Sequence, residues 1–306
     1  MENNKPKKRK KSLYRTRELH LMLLPAVIFT ALFCYLPIGG LIMAFQDFKP
    51  LLGFRKSTFV GLKQFHYIFT MPSFRQAFVN TIIIAFFKIT LSIFVPLVLS
   101  LMLNEVTKSW FKRSVQTIVF IPYFFSWAIL AGMVLEIFAY DGVINNVLES
   151  LFGMEPIAFL VSNKYFRTIV IGSDVWKGMG YNTVLLLAAI TNVDPTLHEA
   201  AQVDGAGRWK QMLHVTLPGI MPMVAVLTVL GLGGILNAGF EQILIMYNPT
   251  VEKTVDILDT LVYRLGMVSH QYSAAAAMGL FKSVISLLFV GTSYWILYKK
   301  SDYRVF

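Results

Sequence analysis

The chain of 306 residues is 56% hydrophobic and only 15% charged, with a mean hydropathy of +0.59, where soluble domains average about 25% charged. Apolar runs of 20 residues and more exclude an ordinary soluble enzyme and read as membrane spans, because a spanning helix satisfies its own backbone hydrogen bonds. The net charge of +11 does not indicate nucleic acid, since Lys5, Lys7, Lys8, Arg9, Lys10, Lys11, Arg15 and Arg17 sit directly before an apolar run, as in a topology signal or an anionic-lipid contact. The lone Cys34 excludes a disulfide framework and a cysteine metal cluster.

In chain order, a basic tail over residues 1–18 leads into a membrane domain over 19–306. The first apolar run, 21–45, exceeds the core of a cleaved signal peptide and shows no convincing cleavage site. Further spans are predicted over 78–103, 115–139, 165–190, 217–240 and 274–298. Six crossings put both termini on one side. That side carries 16 Lys and Arg residues against 9 opposite, so the termini are expected in the cytoplasm. The expected fold class is therefore an all-α, multi-pass integral membrane protein. Its outer connections are long. The first is read as a partly ordered cap with a short amphipathic helix. The last, from Glu241 to Ser273, is read as an interfacial or re-entrant element.

The longest cytosolic connection covers 194–216. Asp194 is a favoured N-cap and Pro195 fits the first helical position, where a missing N–H is harmless. A helix of about ten residues follows and ends at Gly205, a C-cap residue that tolerates positive φ. Ala200 and Ala201 keep one face thin, so another surface can approach. Gly205 and Gly207 turn the chain into a second amphipathic stretch, 208–214. Pro218 and Pro222 are expected near the start of the fifth span, where they can bend it.

The combined pattern, Glu199-Ala200-Ala201, then Gly205, then Val215-Thr216-Leu217-Pro218, resembles the signature loop of ABC importer permeases, with Val215 where that loop usually has Ile. Trp176-Lys177-Gly178-Met179-Gly180-Tyr181, Asn237-Ala238-Gly239-Phe240-Glu241-Gln242-Ile243, Tyr247-Asn248-Pro249 and Tyr263-Arg264-Leu265-Gly266 narrow the resemblance to the LplB-type branch of carbohydrate permeases for complex oligosaccharides. The resemblance implies a type I importer transmembrane domain in the bacterial inner membrane. It also implies a second homologous permease, an ATPase dimer that holds ATP and Mg, and an extracellular solute-binding protein. This chain would carry no cofactor of its own. By motif match, Glu199, Ala200, Ala201, Asp204, Gly205 and Pro218 would form the element that couples to the ATPase.

Charges within spans are functional candidates, because they are costly in lipid. Lys88, Lys177 and Lys282 fall near the midplane of three different spans. Asp174, Lys177 and Tyr181 have i, i+3, i+7 spacing and share a helix face, which positions Asp174 to pair with Lys177. One reading places these groups in a polar path with Tyr123, Trp127 and Asn237, where aromatics stack on sugar rings. The other makes them interhelical pairs that never meet substrate. Three midplane cations would also suit an acidic sugar. Gly231, Gly233, Gly234 and Gly239 make the fifth span a candidate hinge, with helix packing as the plainer alternative.

The rival functions are a membrane enzyme, an ion-coupled secondary transporter and a structural membrane scaffold, the last hard to reconcile with charge inside the spans. His198-Glu199 begins a zinc-protease pattern, but Gln202 stands where its second histidine belongs, and neither a Walker A sequence nor a G-x-S-x-G motif is present. An ion-coupled secondary transporter of a polar solute is the runner-up; it would often carry inverted repeats, and none is evident.

Overall fold

A computed structural model of the protein describes residues 17–234 and 236–300. The predicted basic tail, apart from Arg17 and Glu18, lies outside the described residues, as does Arg304. The architecture is helical apart from one two-residue ladder, Gln46–Asp47 paired antiparallel with Thr58–Phe59, a small departure from the all-α expectation.

Helix α1 runs over Arg17–Phe45 and is followed by the ladder and α2, Lys63–Thr70, the short amphipathic helix expected in the first connection. That cap is tied to the body of the molecule by the Phe48 N–H, which donates to the Ser273 hydroxyl at 2.9 Å. Helix α3, Pro72–Glu105, begins on a proline at its first position and is long enough at about 1.5 Å per residue to span hydrocarbon and project beyond it. Helices α1, α3, α9 (Arg208–Gly233) and α12 (Tyr272–Lys300) contain stretches long and apolar enough to cross a membrane. The helices α4 (Ser109–Phe124) and α5 (Trp127–Ile137) make a fifth such stretch if counted as one span. Helix α7, Phe166–Thr191, has the length of a span, but Asp174, Lys177 and Asn182 make it more polar than the others.

The third predicted span, 115–139, is not straight. Its two halves meet at 110°, because Phe125 is extended and the Ser126 hydroxyl starts α5 by accepting from the Ile129 N–H at 3.4 Å. Pro122 sits just before the break. The fifth predicted span, 217–240, is shifted. Its helix starts at Arg208, so the expected amphipathic stretch 208–214 forms its first turns, and it ends at Gly233. The chain then unwinds to Gly239, whose φ of +94° only glycine adopts readily, before α10, Phe240–Met246.

Pro218 therefore lies inside the continuous helix α9. The helix accommodates it with a wide π turn over Met212–Thr216, which relieves the clash between the ring and the carbonyl four residues back. Helix α1 uses the same device, with a π turn over Ala31–Tyr35 just before Pro37. A proline preceded by a widened turn bends each span without ending it.

Helices α3 and α7 pack along each other, and Ile84, Ala85, Val170 and Val175 supply the apolar part of their contact region. Gly180 is buried against the backbone of Val119 and Phe120, where any Cβ would collide, so α4 crosses α7 at close quarters. The last outer connection is folded and carries α11, Leu258–Tyr263, whose Leu258 and Leu261 are buried against α3 and α12. It thus packs on the helix bundle. Its polar anchor is Asp256, which accepts from Arg264 at 2.6 Å and from the Thr260 hydroxyl at 2.7 Å. Burial pushes the Asp256 carboxyl up, and these two bonds oppose the shift.

Candidate functional site

Two places gather the residues singled out in the sequence. The first is α8, Pro195–Val203. Asp194 caps it, accepting from the Thr196 N–H at 2.9 Å, and this bond holds the Asp194 carboxyl below the usual range. The C-terminus is a Schellman motif: the Ala206 N–H bonds the Ala201 carbonyl at 2.9 Å and the Gly205 N–H bonds that of Gln202 at 3.0 Å. Gly205 has the positive φ of +75° that this closure needs. Gln211 braces the following turn by donating to the Ala206 carbonyl at 2.7 Å.

With both ends closed, no residue of α8 is buried. Glu199, Ala200, Asp204 and Gly205 are exposed, Ala201 is half-buried, and Val203 is 89% exposed. The helix lies flat beside the ends of α3 and α9, where His198, Gln202, Glu105 and Arg208 line a polar hollow of about 320 Å³. Pro218 lies apart from this surface, about three turns into α9 and just beyond the π turn.

The second place is where α9 unwinds. The Lys88 ammonium, on α3 and only 5% exposed, donates to Asp174 Oδ1 at 3.2 Å, to the Ala238 carbonyl at 2.9 Å and to Gln242 Oε1 at 2.5 Å. Gln242 in turn donates to the Val170 carbonyl and the Ser173 hydroxyl, both at 2.8 Å. All three ammonium donors and both sides of the Gln242 amide are thereby used, which is what lets a cation stay buried. Gly239 is part of the fit, since a Cβ there would run into Lys88 Nζ.

This cluster forms one wall of a cavity of about 450 Å³, lined also by Asp174, Tyr181, Asn182, Asn237 and Gly231. Tyr123 stacks on Tyr181 with ring centres 4.8 Å apart and planes 10° from parallel. Lys282 lies behind Asn237, at 3.5 Å from its side-chain oxygen, and is paired with Asp259 at 2.5 Å.

The expected Asp174–Lys177 pair does not form. Asp174 turns to Lys88 on the neighbouring helix, because the unwound segment after Gly233 leaves room for Lys88 to reach it. Lys177 instead donates to the Phe125 carbonyl at the break between α4 and α5, with its ammonium 5.4 Å from the centre of the Trp127 ring. So Asp174, Tyr181 and Asn237 share one cavity, and Tyr123 joins it through its stack. Trp127 and Lys177 form a neighbouring pair, and Lys282 sits in the next layer. The sequence reading quoted Ala238, Gln242 and Asp259 only within stretches that carry the family resemblance and gave them no role in the site.

An apolar bundle with a polar cavity at a helix break and a capped helix held outside the core defines a membrane transport subunit. The chain belongs to the family described as binding-protein-dependent transport system inner membrane component, which matches residues 88–299. It is thus an inner-membrane permease subunit of an ABC importer, not an ion-coupled carrier. The polygalacturonan/rhamnogalacturonan transport system permease protein YteP of Bacillus subtilis (strain 168) is 42% identical over 94% of this chain and 90% of its own length. Protein LplB of the same organism is 41% identical over 95% and 91%. Among solved structures, a bacterial ABC transporter involved in import of the acidic polysaccharide alginate has a chain 38% identical, with a TM-score of 0.88 over 95% of this chain and 99% of that one. The same fold recurs, with a TM-score of 0.89, in the bacterial alginate transporter in complex with an alginate pentasaccharide-bound periplasmic protein.

Proposed function

We propose that this chain is one of two permeases in an importer of acidic oligosaccharides, and that an ATPase dimer drives it by pushing on α8. The observation that carries the mechanical half is the closure of α8 at both ends while no residue of it is buried. A helix that short is marginal alone, and one stabilised by its caps rather than by a buried face is free to seat in another protein. Glu199 offers a carboxylate to a basic group on the motor, Ala200 and Ala201 allow close approach, and Asp204 and Gly205 set the turn that transmits force into α9. Pro218, with its π turn, is the flexible joint in that helix.

In this reading the chain crosses the membrane six times, α7 being the polar crossing, and both termini face the cytoplasm with the 16-to-9 excess of basic residues. ATP and Mg reside on the ATPase, and a solute-binding protein delivers the sugar to the outer loops. The acidic class of substrate is taken from the relatives, one a permease for polygalacturonan and rhamnogalacturonan and one an importer of the acidic polysaccharide alginate. The cavity suits a sugar, with Asn182, Asn237 and Asp174 for hydroxyls and the Tyr123–Tyr181 stack beside them.

The test is purification of the tagged chain from its host membrane, followed by an ATPase assay with galacturonate oligomers and the binding protein. The expected result is a complex containing an ATPase whose turnover rises with the oligomer. A complex without an ATPase overturns the mechanical half, and turnover that responds only to neutral oligosaccharides overturns the substrate half.

A further inference from the structure

The three midplane lysines do not have the same surroundings. Lys88 is neutralised by Asp174, and Lys282 by Asp259. Among the described residues no carboxylate lies within ion-pair distance of Lys177, whose ammonium holds only the Phe125 carbonyl and the face of Trp127. Two of its three donors are thus left for something else. Lys177 stands on α7 in sequence between Asp174 and Tyr181, which line the cavity, and its ammonium turns to Phe125 and Trp127 beside that lining. Its position near the middle of the helix places it about 16 Å from the end of α7, a depth at which an uncompensated cation is costly in lipid.

We propose that Lys177 is the specificity-determining residue of the path, meeting the carboxylates of a uronate oligosaccharide as it passes. The proposal rests on the acidic-substrate reading above and adds the residue that reads the charge. The paired lysines do not serve this purpose, because each already faces a carboxylate that would repel the substrate's own. Lys177 faces none. Trp127 and the Phe125 carbonyl hold its ammonium at the edge of the break between α4 and α5, and the Tyr123–Tyr181 stack adjoins it for the sugar ring. A hydrogen-bonded ion pair formed there with each passing uronate offsets the desolvation of both groups, while a neutral sugar leaves the ammonium uncompensated. The site therefore rejects neutral sugars as well as accepting acidic ones.

The experiment measures uptake of labelled trigalacturonate by host cells that carry the wild-type chain, Lys177→Gln or Lys177→Arg, with membrane levels of the complex determined in each strain. Gln keeps a donor for the Phe125 carbonyl and removes the charge; Arg keeps the charge. The expected result is a fall of about tenfold or more in the glutamine strain, the size of a lost charge-assisted hydrogen bond, with the arginine strain within about threefold of wild type at equal complex levels. Glutamine uptake near wild type shows that Lys177 only braces the break and overturns the proposal, as does an equal fall in both variants. Wild-type cells that take up no trigalacturonate overturn the substrate reading itself, and that outcome is distinct because it precedes any substitution.

Discussion

Helix α8 and the lysine cluster are built on opposite plans. Helix α8 is fixed by bonds within a dozen consecutive residues, from the Asp194 cap to the Ala206 closure, and it buries none of its own side chains. The Lys88 cluster draws on α3, α7, the unwound segment and α10, residues up to 154 positions apart, and is largely sealed from solvent. The difference separates two jobs. A surface that must engage and release a partner keeps its stability local, so docking costs no internal rearrangement. A helix break inside lipid needs remote partners, because each freed backbone group there must be satisfied by the protein itself.

The contrast is broken most severely at Gly239. Valine there would be forced into positive φ, a strain of about 3 kcal/mol, and its side chain would strike Lys88 Nζ. The expected outcome for Gly239→Val is loss of the assembled complex from membranes, measured by immunoblot of the purified transporter. Normal assembly would mean that the segment after Gly233 does not need this geometry.

Next in size is Lys88→Met. It strands the Asp174 carboxylate, which is partly open to the cavity, so the loss should be about 2–3 kcal/mol, toward the lower end for a broken buried pair. The thermal midpoint of the purified complex should drop by several degrees, and adding Asp174→Asn should recover part of the drop. A double variant no better than the single one would show that the pair is not the source of the loss.

Gly205→Val and Glu199→Lys attack the other region and should spare the fold. The strain of positive φ at Gly205 is about 1–2 kcal/mol and falls on an exposed turn. Both variants should assemble at wild-type levels and lose most uptake, with basal ATPase no longer stimulated by substrate. Unimpaired uptake in both would sink the coupling role of α8.

The same contrast explains what could be read from the sequence. Asp194, Pro195 and Gly205 announce their roles because capping acts between neighbours, and the helix they predict is the one that forms. Span positions were legible for the same reason, since each span must be apolar along its own length. The two spans that depart from a straight reading, one bent and one shifted, do so at breaks. The Phe125 carbonyl at the first break is met by Lys177 of α7, and beyond Gly233 Lys88 bonds the Ala238 carbonyl and Gln242 the Val170 carbonyl, partners remote in sequence. The mispaired Asp174 belongs with these. Helix periodicity put it on one face with Lys177, yet the choice between Lys177 and Lys88 depended on which neighbouring helix came near, and no local pattern carries that. Charge within the apolar runs, by contrast, singled out Lys88 and Lys282, which the structure pairs with Asp174 and Asp259.

The smallest effect is expected at the Asp194 cap, and it asks whether the coupling helix holds together through its ends. Asp194→Ala removes the acceptor for the Thr196 N–H and leaves the Schellman closure at Gly205 untouched. Because α8 has no buried face to compensate, its first turn should fray, and hydrogen exchange should quicken at Thr196 and Leu197 with little change at Ala200 or beyond. The wild-type cap should show the same fraying on acidification. The carboxyl's affinity for protons is lowered in the folded chain, so the stability it adds is present above the ordinary carboxylate pKa and is lost as pH falls through the lower, folded value. In wild type, exchange in the first turn, corrected for its intrinsic pH dependence, should stay slow down to the ordinary carboxylate range and rise only below it. In Asp194→Ala that step should be missing. Equal protection of the first turn in both proteins would mean that α8 is held by contacts along its length, and the distinction between a locally closed docking helix and a remotely tied core would lose its basis.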